Sequence, residues 1–227
     1  MTTIEANIQT VRGRIAAACR RSGRSPESVQ LLAVSKTFGV EAVRQAFGVG
    51  QCAFGESYLQ EAVPKIRLLQ GLPVQWHCIG PIQSNKTRLV AEHFDWAHTL
   101  DRFKIAQRLS EQRPAHLPPL QVCIQLNIDG AATKSGVTPS EALQLARQVA
   151  GLPGLRLRGI MGIPDPAIDF VAACALFTGI REVFESLKQA GLELDTLSMG
   201  MSADLEAAIE CGSTLVRVGS AIFGARA

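Results

Sequence analysis

The chain has 227 residues, 47% of them hydrophobic and 19% charged, and its 23 Lys and Arg against 20 Asp and Glu leave a net charge of +3. That length buries a substantial core as one large domain or two small ones, and the apolar fraction excludes disordered and collagen-like chains. The charge is too mild and too scattered for a nucleic-acid binder, no apolar run reaches membrane-spanning length, and the N-terminus lacks the basic-then-apolar layout of a secretory signal.

The opening segment places Ile4, Ile8, Val11, Ile15 and Cys19 on one stripe of an amphipathic helix, with Arg12, Arg14, Arg20 and Arg21 off it, and Gly23, Ser25 and Pro26 end it. Short apolar runs then alternate with segments of helical period. Strands are predicted at 31–36 (LLAVSK), 52–57, 74–80, 96–101, 120–128, 155–163, 196–200 and 214–220. Helices are predicted between them at 40–47, 58–69, 85–93, 102–112, 140–150, 170–190 and 203–211. Ser84 and the Thr138, Pro139, Ser140, Glu141 series supply start signals, and Gly50, Gly71, Gly151, Gly191 and Gly212 stand where left-handed C-terminal caps are wanted. Eight such alternations imply a (β/α)8 TIM barrel over 1–227 as one domain, with the first helix as an extra element. An open doubly wound sheet would want a glycine-rich fingerprint after its first strand, where this chain has Ser35, Lys36 and Thr37. The six cysteines form no metal-ligand spacing and read as reduced, mostly buried residues of a cytoplasmic protein.

Active groups of such barrels sit at the C-terminal ends of strands. Alternation puts Leu32, Val34 and Lys36 on one face of an apolar run, so Lys36 is either a partly desolvated amine suited to a carbonyl or a rim lysine reaching solvent. Ser198–Ser202 reads as an anion cup, with Gly200 permitting close approach and Ser202 supplying a hydroxyl, or as a plain helix cap followed by Asp204 and Glu206. In the last strand Val216 and Val218 face the helices. Leu215, Arg217 and Gly219 then face the barrel interior, where Arg217 meets either a ligand or a structural carboxylate, and Gly219 and Ser220 lead into a short helix. A lysine, a phosphate cup after strands seven and eight and an inward arginine together point to pyridoxal 5′-phosphate (PLP), which offers an aldehyde, a phosphate and a ring nitrogen. An arginine beside that nitrogen keeps it unprotonated and weakens the ring as an electron sink.

The stretches Leu32–Lys36, Phe54–Glu56, His77–Gly80 with Gln83–Lys86, Ser198–Ser202 and Arg217–Arg226 are similar to those of the pyridoxal-phosphate homeostasis proteins. These are stand-alone barrels related to the alanine racemase N-terminal domain, the fold type III of PLP proteins. The resemblance spans essentially the whole chain. It implies that Lys36 carries the cofactor as an internal aldimine, that Ser202, Gly219 and Ser220 bind its phosphate, and that Arg217 meets the pyridine nitrogen. Met199, Gly200 and Met201 would then shape the cup near the ring. His77, Asn85, Lys86 and Met161 match patterned positions without a catalytic role, and Lys134 is either a mouth residue or a solvated loop lysine. Two departures stand out: Ser57 replaces the usual Asn before Tyr58, and Pro81 replaces the usual Leu.

The implied function is non-catalytic: intracellular PLP homeostasis, with the cofactor held, buffered or delivered to PLP-dependent apoenzymes, affecting amino-acid and keto-acid pools. A monomer without nucleic-acid or membrane partners is expected. The alternatives are a PLP-dependent amino-acid racemase and an aldolase-like barrel. A racemase needs a second acid–base group. No racemase-type C-terminal domain is expected after the barrel, the one tyrosine, Tyr58, opens a predicted helix, and His93, His98 and His116 are expected in or near helix ends and loops.

Overall fold

The computed structural model describes residues 3–130 and 135–224. Eight parallel strands close a barrel in chain order. They are β1 (Gln30–Val34), β2 (Ala53–Glu56), β3 (Gln75–Cys78), β4 (Trp96–Leu100), β5 (Leu120–Leu126), β6 (Leu155–Gly162), β7 (Thr196–Ser198) and β8 (Leu215–Val218). Closure runs through β1 and β8, where Leu32 lies opposite Arg217 and Ala33 opposite Val218.

The helices follow the predicted alternation: α1 (Ile4–Arg21), α2 (Val40–Gly48), α3 (Leu59–Leu68), α4 (Thr87–His93) and α5 (Phe103–Gln112), then α6 (Pro139–Ala150), α7 (Phe170–Gln189), α8 (Leu205–Glu210) and α9 (Ser220–Phe223). Thr138 and Glu141 form a reciprocal capping box that starts α6. Four of the expected C-terminal glycines, Gly50, Gly71, Gly191 and Gly212, adopt positive φ. Gly151 does not: its φ is −81°. The chain there continues in a right-handed turn, with the Leu152 amide donating to the Val149 carbonyl, so no left-handed residue is required.

Strand alternation divides the apolar residues into a shell and an interior. Ala33, Phe54, Val216 and Val218 join the large cluster under the helices. Leu32, Ala53 and Leu215 form one small group inside the barrel, and Trp96, Cys123 and Met161 form another. The remaining inward positions include buried polar residues: His77, His98, Ser198 and Arg217. Such groups are tolerated in a close-packed barrel only when hydrogen-bonded.

Helix α1 buries Ile8, Val11, Ile15, Ala18 and Cys19. Its polar side is tied to the segments after β7 and β8. Arg14 pairs with Glu206 at 2.7 Å and donates to the Ser202 carbonyl at 3.0 Å, while Asn7 donates to the Ile222 carbonyl at 2.8 Å. The extra helix therefore clamps the loops that make one side of the C-terminal mouth.

Candidate functional site

A cleft of about 420 Å³ opens at the C-terminal mouth, lined by Val34, Lys36, Ser57, Ile79, Met161, Ile163, Met201, Ser202, Arg217, Gly219 and Ser220. Lys36 lies two residues beyond β1 and is half-buried. The next residue, Thr37, has φ +70°, a left-handed conformation that costs a β-branched residue about 1–3 kcal/mol. Hydrogen bonds hold it there: the Thr37 amide donates to Glu61 Oε2 at 3.1 Å, and the Phe38 amide donates to the Ser35 carbonyl at 3.1 Å.

Behind this turn lies a buried ion pair. Lys65 on α3 donates to Glu56 Oε1 at 2.6 Å and to the Ser35 carbonyl at 3.0 Å, and the Ser35 hydroxyl donates to the same Glu56 oxygen at 2.7 Å. Glu56 is wholly buried, and its Oε2 has no hydrogen-bond partner among the described residues. Burial pushes the Glu56 carboxyl above its ordinary range even though Lys65 draws it down. The strand end that carries Lys36 is thus pinned from the helix side.

The adjoining wall comes from β7 and β8, since β8 pairs with β1 to close the barrel. Gly200 has φ +91°, and a Cβ there would stand 2.5 Å from Ala208 Cβ, so only glycine fits between the strand end and α8. The acidic start of α8 turns away from the cleft: Asp204 accepts from the Met201 amide, and Glu206 pairs with Arg14. The cup is consequently one-sided. Its hydroxyls are Ser202 and Ser220, 3.4 Å apart, and α9 begins at Ser220.

Arg217 forms the floor and is buried. Its partners among the described residues are oxygens of the barrel wall rather than a carboxylate. The guanidinium donates to the Ser198 carbonyl and hydroxyl, both at 2.7 Å, and to the Gly162 carbonyl at 2.9 Å. Burial lowers its pKa to about 10, so it remains a cation and a pure donor at neutral pH. An amine, two hydroxyls with a glycine turn and a donor-only cation lining one cleft fit a phosphorylated aldehyde carrying an acceptor nitrogen.

His98 is not at a helix end or in a loop but in β4, where alternation with Trp96 turns it into the barrel. It sits 2.9 Å from His77 and 3.0 Å from the Ser198 hydroxyl. Burial drives the His77 pKa down to about 3 and that of His98 well below its usual value. Both rings are therefore neutral when folded and titrate near 6.5 when unfolded. A depressed folded pKa gives stability that is full above the unfolded pKa and is lost as pH falls below it. Between pH 7.5 and 5.5 the two histidines are expected to remove roughly 2–3 kcal/mol of unfolding free energy. Urea unfolding at both pH values checks this, and a His77→Gln, His98→Gln double variant that retains the full pH dependence would contradict it.

The other sequence candidates are dispersed. Met199 is packed in the outer shell and does not line the cleft. Met161 and Ser57 do line it. Tyr58 is exposed and borders a separate notch with Ser57, Pro81, Gln83 and Lys86, while Asn85 is exposed on the approach to α4. Lys134 lies outside the described residues. Sequence reasoning missed Lys65 and the His98–Ser198 contact. A charge in an otherwise apolar strand end was the available signal for the first, and the alternation of β4 for the second.

Among the described residues no helix is long and apolar enough to cross a membrane, and no cluster is arranged to hold a metal ion. All six cysteines are free. The family described as alanine racemase, N-terminal domain, matches residues 2–227. The pyridoxal phosphate homeostasis protein of Pseudomonas aeruginosa is 57% identical over 226 residues, covering 100% of this chain and 97% of that protein. The Escherichia coli protein of that name is 54% identical over 229 residues, covering 100% of this chain and 98% of its own. Among solved structures, PipY of Synechococcus elongatus with PLP bound has a TM-score of 0.81 at 36% identity, covering 94% of this chain and 100% of its own. An alanine racemase of Clostridium difficile shares the fold, with a TM-score of 0.77 at 14% identity over 98% of this chain and 56% of that one. The barrel and the relatives agree, and the chain belongs to the alanine racemase N-terminal domain family.

Proposed function

We propose that this chain binds PLP in the cleft at the C-terminal mouth and acts in PLP homeostasis, holding and releasing the cofactor for PLP-dependent apoenzymes. The observation that carries the reading is that Lys36, Arg217 and the Ser202, Gly219, Ser220 group surround one cleft, in a chain 36% identical to a protein solved with PLP in place. Lys36 supplies the anchoring amine. Ser202, Gly219 and Ser220 receive the phosphate, Arg217 donates to the ring nitrogen, Gly200 and Met201 shape the cup, and Met199 supports it from the shell. When bound, the cofactor supplies an aldehyde and an electron-withdrawing ring. The purified protein is expected to be yellow, with a visible band that vanishes on borohydride reduction. A colourless protein that takes up no PLP would instead favour an aldolase-like lysine.

The cleft is poorly equipped for racemisation. That reaction needs acid–base groups on both faces of the substrate α-carbon. Among the described residues lining the cleft, only Lys36 and Arg217 titrate, and Arg217 stays protonated. Tyr58 borders the notch instead. PLP-loaded protein given L-amino acids in deuterated water should therefore exchange the α-proton far more slowly than ordinary enzyme turnover of roughly 1–10³ per second. Exchange in that range with accumulation of the D-isomer would make the protein a racemase.

A further inference from the structure

The polar residues inside the barrel form a single file. Arg217 on β8 donates to the Ser198 hydroxyl on β7 at 2.7 Å, Ser198 Oγ lies 3.0 Å from His98 Nδ1 on β4, and His98 Nε2 lies 2.9 Å from His77 Nδ1 on β3. His77 Nε2 then lies 3.1 Å from Gln75 Oε1. Gln75 is the exposed first residue of β3, where the amide of Gln30 also reaches its oxygen, at 3.3 Å. The file therefore runs from the floor of the cleft to the N-terminal mouth, with two fully buried imidazoles in the middle.

Its direction follows from donor and acceptor chemistry. An arginine only donates, so the Ser198 oxygen is an acceptor toward Arg217 and its proton is available to one further partner. The ring nitrogen Nδ1 of His98 is that partner among the described residues. His98 then carries its proton on Nε2 and donates to His77 Nδ1, and His77 carries its own on Nε2 and donates to Gln75 Oε1. Every bond in the file is satisfied in this one sense. Reversing it would point two donors at Ser198 Oγ and leave the serine proton without an acceptor, a costly outcome in a buried site.

We propose that Ser198, His98 and His77 are positioning residues for Arg217: their one-way hydrogen-bond chain holds the guanidinium as a fixed donor in the cleft floor and thereby sets how firmly the ring nitrogen of PLP is held and how the bound cofactor absorbs. The inference rests on the PLP reading above and assigns a task to groups that touch neither phosphate nor lysine. It also explains the interior of this barrel. A lone pair of buried histidines would be costly against the Trp96 ring, whereas a file anchored on an arginine satisfies both rings.

Two measurements test it. Nitrogen-15 NMR of the ring nitrogens in cofactor-free protein at pH 7.5 should find both buried histidines neutral and protonated on Nε2. Two Nδ1-protonated rings would overturn the direction and with it the proposal. In PLP-loaded protein, Ser198→Ala should release the cofactor about tenfold faster, the scale of one lost hydrogen bond, with a displaced visible band. Ser198→Thr, which keeps the hydroxyl, should match the wild type in both. A Ser198→Ala protein with wild-type spectrum and release would overturn the proposal while leaving the PLP reading intact. Failure of the wild type itself to take up PLP would overturn that reading, and the NMR result on the cofactor-free protein separates the two failures.

Discussion

Borohydride reduction of PLP-loaded protein followed by peptide mass analysis is expected to place the reduced cofactor on Lys36, and Lys36→Ala is expected to abolish the adduct and the visible band together. The reason is reach. Lys36 is a half-buried amine on the cleft wall. Lys65 is the other lysine near this strand end, yet it faces the helix side and is committed to Glu56 and to the Ser35 carbonyl. Lys86 borders the notch beside Tyr58 rather than the cleft. Residual binding by Lys36→Ala should survive through Ser202, Gly219, Ser220 and Arg217, because phosphate and ring contacts do not pass through the amine. That residual binding should be reversible and at least tenfold weaker, one lost strong interaction being worth that much or more. An adduct on a different lysine, with Lys36 unmodified, would contradict the assignment.

The barrel was legible because its signals are local and repeated. Each strand is a short apolar run, each helix has its own period, and parallel connection follows from the alternation. Strand alternation also placed Leu32, Val34 and Lys36 on one face and turned Arg217 inward, since period 2 leaves no freedom once one position is assigned. What sequence spacing could not show was which strands face each other across the barrel. His98 and Ser198 are separated by 100 residues and meet only because β4 and β7 line the same interior. The acidic residues after β7 posed a related problem. Asp204 and Glu206 looked like opponents of an anion cup, but Asp204 caps the Met201 amide and Glu206 is neutralised by Arg14 from α1, a partner 192 residues away. Met199 sits beside the cup in sequence and faces the shell in space, because adjacent residues at a strand end point to opposite sides. Phe54–Glu56 stood out as a stretch, but its chemistry required Lys65, one helix away.

That pair supports the second large effect: Lys65→Met should cost about 3–5 kcal/mol of stability, the usual penalty for leaving a buried charge without its partner. For a chain of this size that corresponds to a melting temperature lower by roughly 10 °C. Glu56 has no exposed surface and already has one oxygen without a partner among the described residues, so removing the ammonium that lies 2.6 Å from the other leaves, among those residues, the Ser35 hydroxyl to support the carboxylate. The sign of the pH dependence follows from the raised pKa of Glu56. A carboxyl raised above its unfolded value is favourable to the fold when protonated, and it becomes a liability as pH climbs from the unfolded toward the folded pKa. Lys65→Met should raise the Glu56 pKa further, so the variant should lose more stability at pH 8 than at pH 5. Replacing both partners, Glu56→Gln with Lys65→Met, removes the charge together with its need for compensation and should recover most of the loss. Chemical unfolding of the three proteins at the two pH values measures this directly. A Lys65→Met protein within about 1 kcal/mol of wild type at pH 8 would mean that the pair is not what pins the end of β1. If the pair does pin it, Lys65→Met should also loosen Ser35, whose carbonyl Lys65 holds, and PLP release from the adjoining Lys36 should quicken even at temperatures where the variant remains folded.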